Sequence, residues 1–255
     1  SSRRRNTRFE PKSRGLGDVY KRQAQHWYRQ RLGKRQAQLA RAETERCQKR
    51  SLSDPLSYSM TDLQSLLAEV SRCQHCASNL PLGPNPVLQC SASARILLAG
   101  QAPGKKVHHT GIPFDDPSGN RLRDWLGISR DVFYDATEIA ILPMGFCYPG
   151  TATSGDLPPR PECAQRWRES LLAQMQQLEL TLVLGQYAQQ YHFKTKTRSL
   201  TELVRSWKDF WPDMVPLPHP SPRNNRWLRQ NPWFETELLP ELKTRIKQIL
   251  QGRDQ

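Results

Sequence analysis

A helical period in the apolar residues begins at Thr61 and is weak before it. Leu63, Leu66, Leu67 and Val70 fall on one helical face, and Thr61 with Gln64 three positions on has the form of a capping box. Four short apolar runs follow, at 94–99, 139–142, 180–184 and 214–217. Without polar alternation, runs of this length predict strands buried on both faces. Helices are expected between and after them at 119–126, 161–178 and 186–193, the second burying Trp167, Leu171, Leu172 and Met175. Ser199 with Glu202 caps another, and a final helix starts with Asn231 as cap and Pro232 at its first position, reaching Leu250 past a kink expected at Pro240.

Strands alternating with helices predict an α/β protein: three layers, α/β/α, around a central four-stranded parallel sheet. Ligands of such sheets bind beyond the carboxyl ends of the strands. There the sequence places Gly100-Gln101-Ala102-Pro103-Gly104, Pro143-Met144-Gly145-Phe146, Gly185-Gln186 and His219-Pro220-Ser221-Pro222. These loops are expected to surround one crevice.

Charge alters the picture less than its total suggests. The chain has a formal net charge of +14, from 38 Lys and Arg against 24 Asp and Glu. Residues 1–23 hold eight basic against two acidic groups and residues 24–59 eight against three, which leaves +3 from residue 60 onward. A case for nucleic-acid binding by the folded part must therefore rest on local clusters. Residues 13–23 back-translate codon by codon into a transposase-based sequencing-library adapter, and residues 2–8 fit its outer primer. Residues 1–23 are expected to be translated adapter, with a natural basic arm as the alternative. Residues 24–59 read as a basic leader and linker, disordered or forming a basic helix that touches DNA. The functional domain is expected at 60–252. No run approaches the roughly 20 apolar residues of a membrane span, so a soluble, cytoplasmic monomer is expected.

Two ordered motifs narrow the function. Gly100-Gln101-Ala102-Pro103-Gly104, followed by Gly111-Ile112-Pro113-Phe114 and Gly119, is similar to the G-E-A-P-G…G-x-P-F…G block of the iron-sulfur uracil-DNA glycosylases. His219-Pro220-Ser221-Pro222 resembles that family's second motif. The resemblance covers roughly residues 61–250. It implies the uracil-DNA glycosylase-like fold and a DNA repair enzyme that flips a damaged base, uracil foremost, out of DNA. Hydrolysis of the N-glycosidic bond would leave an abasic site. The alternative is a lesion-binding module of the same fold with little or no turnover.

The residues can be assigned roles on that basis. Gly100, Ala102, Pro103 and Gly104, with Pro143 and Met144, would wall the base pocket, glycine allowing close backbone approach. Phe114 would stack under the base. His219 would donate a hydrogen bond to the pyrimidine O2, where negative charge grows as the base leaves. Lys105, Lys106, Ser221, Arg223 and Arg226 would contact the DNA backbone, and Trp227 or Leu228 would wedge into the duplex.

This sequence also departs from the pattern. Gln101 stands where the iron-sulfur class has Glu, and Ala102 where several classes carry Asp or Asn. By its place in the motif Gln101 is a catalytic candidate with His219 and Asp116, although as a neutral amide it is no general base. Asp116, in a segment similar to the Asp-x-Ser-Gly of another class that also has Ala in its first motif, is the candidate for positioning water or stabilising the sugar cation. Asp115 is second, and helix capping is the competing role for either. Pro143 falls where the family places a base-reading Asn, so the backbone of 143–146 is left to read the base and other damaged bases stay open.

Cys73-Gln74-His75-Cys76, then Cys147 and Cys163 with fifteen residues between them, resembles the same family's ligand set for a [4Fe-4S] cluster. Zinc is the alternative.

Overall fold

The four apolar runs become strands in a computed structural model that describes residues 61–153, 155–194 and 199–252. The expectations for residues 1–59 fall outside it. In chain order the elements are α1 (Thr61–Ser71), β1 (Ile96–Ala99), α2 (Lys105–Thr110), α3 (Pro117–Leu126), α4 (Arg130–Tyr134) and β2 (Ile139–Ile141). A small hairpin follows, β3 (Thr151–Ala152) with β4 (Gly155–Asp156). Then come α5 (161–174), β5 (Leu180–Leu184), α6 (Gly185–Phe193), α7 (Leu200–Arg205), β6 (Met214–Leu217), α8 (Asn225–Gln230) and α9 (Leu239–Gln251).

The main sheet has the order β2-β1-β5-β6 with every neighbour parallel. Alternation along each strand explains the three layers. Ile96 and Leu98 of β1, with Leu180, Leu182 and Leu184 of β5, face a core shared with Leu122 and Trp125 of α3 and Leu242 and Ile246 of α9. Leu97 and Ala140 point the other way, against Val70 of α1 and Trp167 and Leu171 of α5. Helices therefore cover both faces, as the uninterrupted apolar runs required. The chain moves from β1 to β2 on one side and then crosses back past β1 to β5. Loops leaving β1 and β5 consequently diverge, which opens a crevice at the carboxyl edge.

Local chemistry sets several boundaries. Asp116 accepts a hydrogen bond from the Gly119 N–H at 2.9 Å and Pro117 occupies the first turn, so α3 starts two residues before the expected 119. Ser199 and Glu202 form the expected reciprocal capping box on α7. The expected kink at Pro240 is replaced by a π-helical turn, Phe234–Leu238, just before α9. Pro240 then lies in the first turn of α9, where a missing N–H costs little. Helix α5 ends at Gln174 rather than 178 and contains its own π-helical turn, Ala164–Arg168. Among the described residues no helix is long and apolar enough to cross a membrane.

Candidate active site

The loops after β1, β2, β5 and β6 do meet, around a cavity of about 530 Å³. Gly100, Gln101, Ala102, Pro103 and Gly104 form one side, and Phe114, Asp116, Pro143, Tyr187, His219, Ser221 and Arg223 contribute to the rest. A Cβ on Gly100 or Gly104 would meet only ordinary contacts, at 3.5 and 3.7 Å, and close approach is enforced instead at two glycines outside the first motif. The Gln101 side chain lies so close over Gly185, itself at φ +78°, that a Cβ there would collide with it. A Cβ on Gly119 would overlap the Phe114 carbonyl, so Gly119 lets the start of α3 fold tightly beneath the Phe114 turn. Phe114 has φ +55°, a left-handed conformation unusual for a bulky residue. That strain turns its ring against Gly100, while Phe133 meets it edge-on at 6.1 Å between centroids. One wall of the cavity is thus an aromatic ring held from behind.

His219 is fixed from three directions. The Ser221 N–H donates to its Nδ1 at 3.2 Å, which leaves Nε2 as the nitrogen that carries the proton when the ring is neutral. Asn224 Nδ2 donates to the His219 carbonyl at 2.7 Å. Arg121 from α3 spans the same loop, donating to the Ser221 carbonyl at 3.0 Å and to Asn225 Oδ1 at 2.7 Å. Burial pulls the His219 pKa from 6.5 down to about 4; the Asp116 charge opposes this and the Arg223 charge adds to it. At neutral pH the ring is therefore an uncharged donor rather than an imidazolium.

The acidic pair 115–116 divides. Asp116 lines the cavity, one oxygen committed to the Gly119 N–H. Asp115 turns outward to Lys106 at 3.5 Å and Arg130 at 3.3 Å. Burial raises its pKa, but the bond from Arg130 and the two positive charges outweigh this and hold the carboxyl low.

Several side chains singled out above lie elsewhere. Met144 is buried in the core with Val183 and Ala188 rather than in the cavity wall. Lys105, Lys106 and Arg226 are exposed outside the cavity. Trp227 is not a free wedge: its Nε1 donates to Thr201 Oγ1 at 2.8 Å and its ring packs edge-on against Phe234 at 5.6 Å. Leu228 packs against the same core.

The backbone of 143–146 is also largely occupied. Pro143 has no N–H, and its carbonyl accepts from the Arg168 guanidinium at 3.2 Å. The N–H groups of Met144 and Gly145 are bonded to the carbonyls of Gly100 and Gln101. The Phe146 N–H donates to Cys163 Sγ at 3.3 Å. These donors pin the two loops together, so none of them is free to read a base edge.

Residues 88–243 match the family profile described as the uracil DNA glycosylase superfamily. The chain belongs to that superfamily. Its members are typically DNA glycosylases, hydrolases that act on DNA, and the match contains every cavity residue named above. In this superfamily member, sequence reasoning missed Arg121 and Asn224 as supports of the His219 loop, and it missed the β3–β4 hairpin, whose Asp156 reaches the cavity. Arg121 had no signal because its partners lie about a hundred residues away. The hairpin had none because two-residue strands carry no period.

A second, smaller cavity is lined by Cys73, Cys76, Cys147 and Cys163 together with His75, Arg160 and Glu162. Burial raises the pKa of the Cys76 thiol, that of Cys147 to about 11 and that of Cys163 to about 12. Among the described residues no group of three or more His, Cys, Asp or Glu is drawn together tightly enough to hold a single ion.

Proposed function

We propose that the protein is a monofunctional DNA glycosylase that holds a flipped, damaged base, uracil foremost, in the 530 Å³ cavity and hydrolyses its N-glycosidic bond. The observation that carries this reading is the state of His219. With Nδ1 accepting from Ser221 and the ring uncharged at pH 7, His219 offers an Nε2–H donor in the cavity that Phe114 also lines. A pyrimidine stacked on Phe114 would present its O2 to that donor, where negative charge collects as the base departs. A donor already in place costs no reorganisation at that moment. No lysine is needed as nucleophile, and the product is an abasic site. Arg223 and Ser221 in the cavity lining, with Arg226 and Lys105 exposed on neighbouring segments of the two motif loops, supply the cations and donors that a phosphate backbone takes.

The test is a panel of duplexes carrying deoxyuridine, deoxyinosine or deoxyxanthosine, incubated with the protein and then cleaved with alkali. Excision of at least one lesion, deoxyuridine fastest, is expected. Tight binding to these duplexes without excision of any of them would instead support a lesion-binding module, the second reading. Gln101 favours that reading, because it puts a neutral amide where the iron-sulfur class has its acid.

We further infer that the protein is close to the iron-sulfur class and that Cys73, Cys76, Cys147 and Cys163 hold a [4Fe-4S] cluster. The donor set fits: four thiols face one cavity, and the Phe146 N–H is directed at the Cys163 sulfur, the kind of bond that supports a thiolate ligand. A cluster there would tie the end of α1 to the loop after β2 and to α5. Anaerobically purified protein is expected to be brown, with about four iron and four sulfide per chain, and Cys147→Ser to lose most of both. Colourless protein carrying zinc would overturn the assignment.

A further inference from the structure

The β3–β4 hairpin belongs to neither motif, yet it lies against both. Gly155 packs on the Arg223 guanidinium after the second motif, and Asp156 Oδ2 is 3.7 Å from where a Cβ on Gly104 of the first would stand. Asp156 and Asp116 line the same cavity as His219. The two carboxylates also interact. Burial raises the Asp156 pKa, and Asp116 raises it further against the opposing pull of Arg223. Their situations differ: Asp116 spends one oxygen on the Gly119 N–H, while Asp156 stands on a hairpin edge.

We propose, on the basis of the glycosylase reading, that Asp156 is a second catalytic carboxylate, which holds the attacking water with Asp116 and takes its proton. In that step the water oxygen bonds to C1′ as the C1′–N bond breaks. The electron pair leaves on the base, where the His219 N–H meets it. The water proton passes to Asp156 and then to solvent. This division of work answers the loss of the acid at Gln101. Asp116 is oriented by its capping bond and supplies negative charge beneath the sugar cation. Asp156 stands on the exposed edge of the hairpin, its pKa raised by partial burial and by the like charge of Asp116, and with no capping bond to serve it takes the proton. The groups that face it are Asp116 and Arg223, with neutral His219 next to both.

Single-turnover excision of the fastest lesion in the panel, measured from pH 5 to 8 for wild type, Asp156→Asn, Asp156→Glu and Asp116→Asn, decides the matter. Affinity for an abasic-site duplex, read by fluorescence anisotropy, checks that the hairpin keeps its place. Asp156→Asn is expected to lose roughly 100-fold in rate with duplex affinity retained, to lose the acid limb of the wild-type profile, and to be partly rescued by Asp156→Glu. A rate for Asp156→Asn within about twofold of wild type across the range overturns the inference and leaves the glycosylase reading standing. So does a rate loss matched by an equal loss of duplex affinity, which would make the hairpin only a DNA contact. A wild-type protein that excises no lesion sinks both.

Discussion

His219→Ala should lower the single-turnover excision rate by roughly 10² to 10³-fold while leaving affinity for lesion-containing duplex nearly intact, the cost typical of removing one preorganised donor to a developing anion. The loss should be even from pH 5 to 8, because His219 titrates near 4 and stays uncharged throughout that range. A profile in which wild type and variant converge at one end would mean that the working form is the imidazolium. The depressed pKa also has a stability consequence. The unfolded chain binds a proton at His219 below about 6.5, while the folded chain does so only below about 4, so acidification through that window favours unfolding. Buried His192 is lowered in the same direction, by burial first and then by the Arg168 charge, and adds to the effect. Urea midpoints at pH 7.5 and pH 5 should therefore fall further for wild type than for His219→Ala. Equal falls would show that His219 titrates normally.

Arg168→Met should be the most destabilising single substitution of those considered, at about 3 kcal/mol or more. Arg168 has no solvent exposure, and its guanidinium donates to the Leu142 carbonyl at 2.7 Å and the Pro143 carbonyl at 3.2 Å. It also meets His192 Nε2 at 2.7 Å; arginine can only donate, so the histidine proton resides on Nδ1. Methionine fills much of the volume but leaves two buried carbonyls without that donor, each a cost of about 1–3 kcal/mol. The same carbonyls hold the loop that brings Pro143 to the cavity and Cys147 to the cysteine cluster. A drop in Tm of roughly 6–12 °C is expected for a domain of this size, together with slower excision and a lower iron content. A Tm within about 2 °C of wild type would refute the claim that Arg168 anchors this loop.

The sheet was legible from the chain. Strands β5 and β6 match their apolar runs residue for residue, and β1 and β2 lie inside theirs, because a strand buried on both faces has little polar content to blur its limits, and the one polar residue of β5, Thr181, is itself buried. The loops that follow them were legible for a related reason: glycine, proline and histidine clustered after a strand are poor core residues. Arg168 was not legible. On an amphipathic helix an arginine reads as solvent-facing, and only the π-helical turn Ala164–Arg168 in α5 accompanies its place in the interior. Trp227 and Met144 read as DNA and base contacts because they sit beside motifs, but large apolar side chains next to a core are drawn into it.

By itself the sequence determined the four strands of the main sheet and their burial, the larger helices that pack on it, the loops at the carboxyl edge and the spacing of Cys73, Cys76, Cys147 and Cys163. These are local properties, set by periodicity, capping and side-chain type over a few residues. Only the tertiary structure decided which carboxylate faces the cavity, which nitrogen of His219 bears the proton, and that the β3–β4 hairpin delivers Asp156 to the same place. Those outcomes depend on groups far apart in the chain, brought within hydrogen-bond or Coulomb range by the crossing from β2 back past β1 to β5, and no pattern within one segment encodes them.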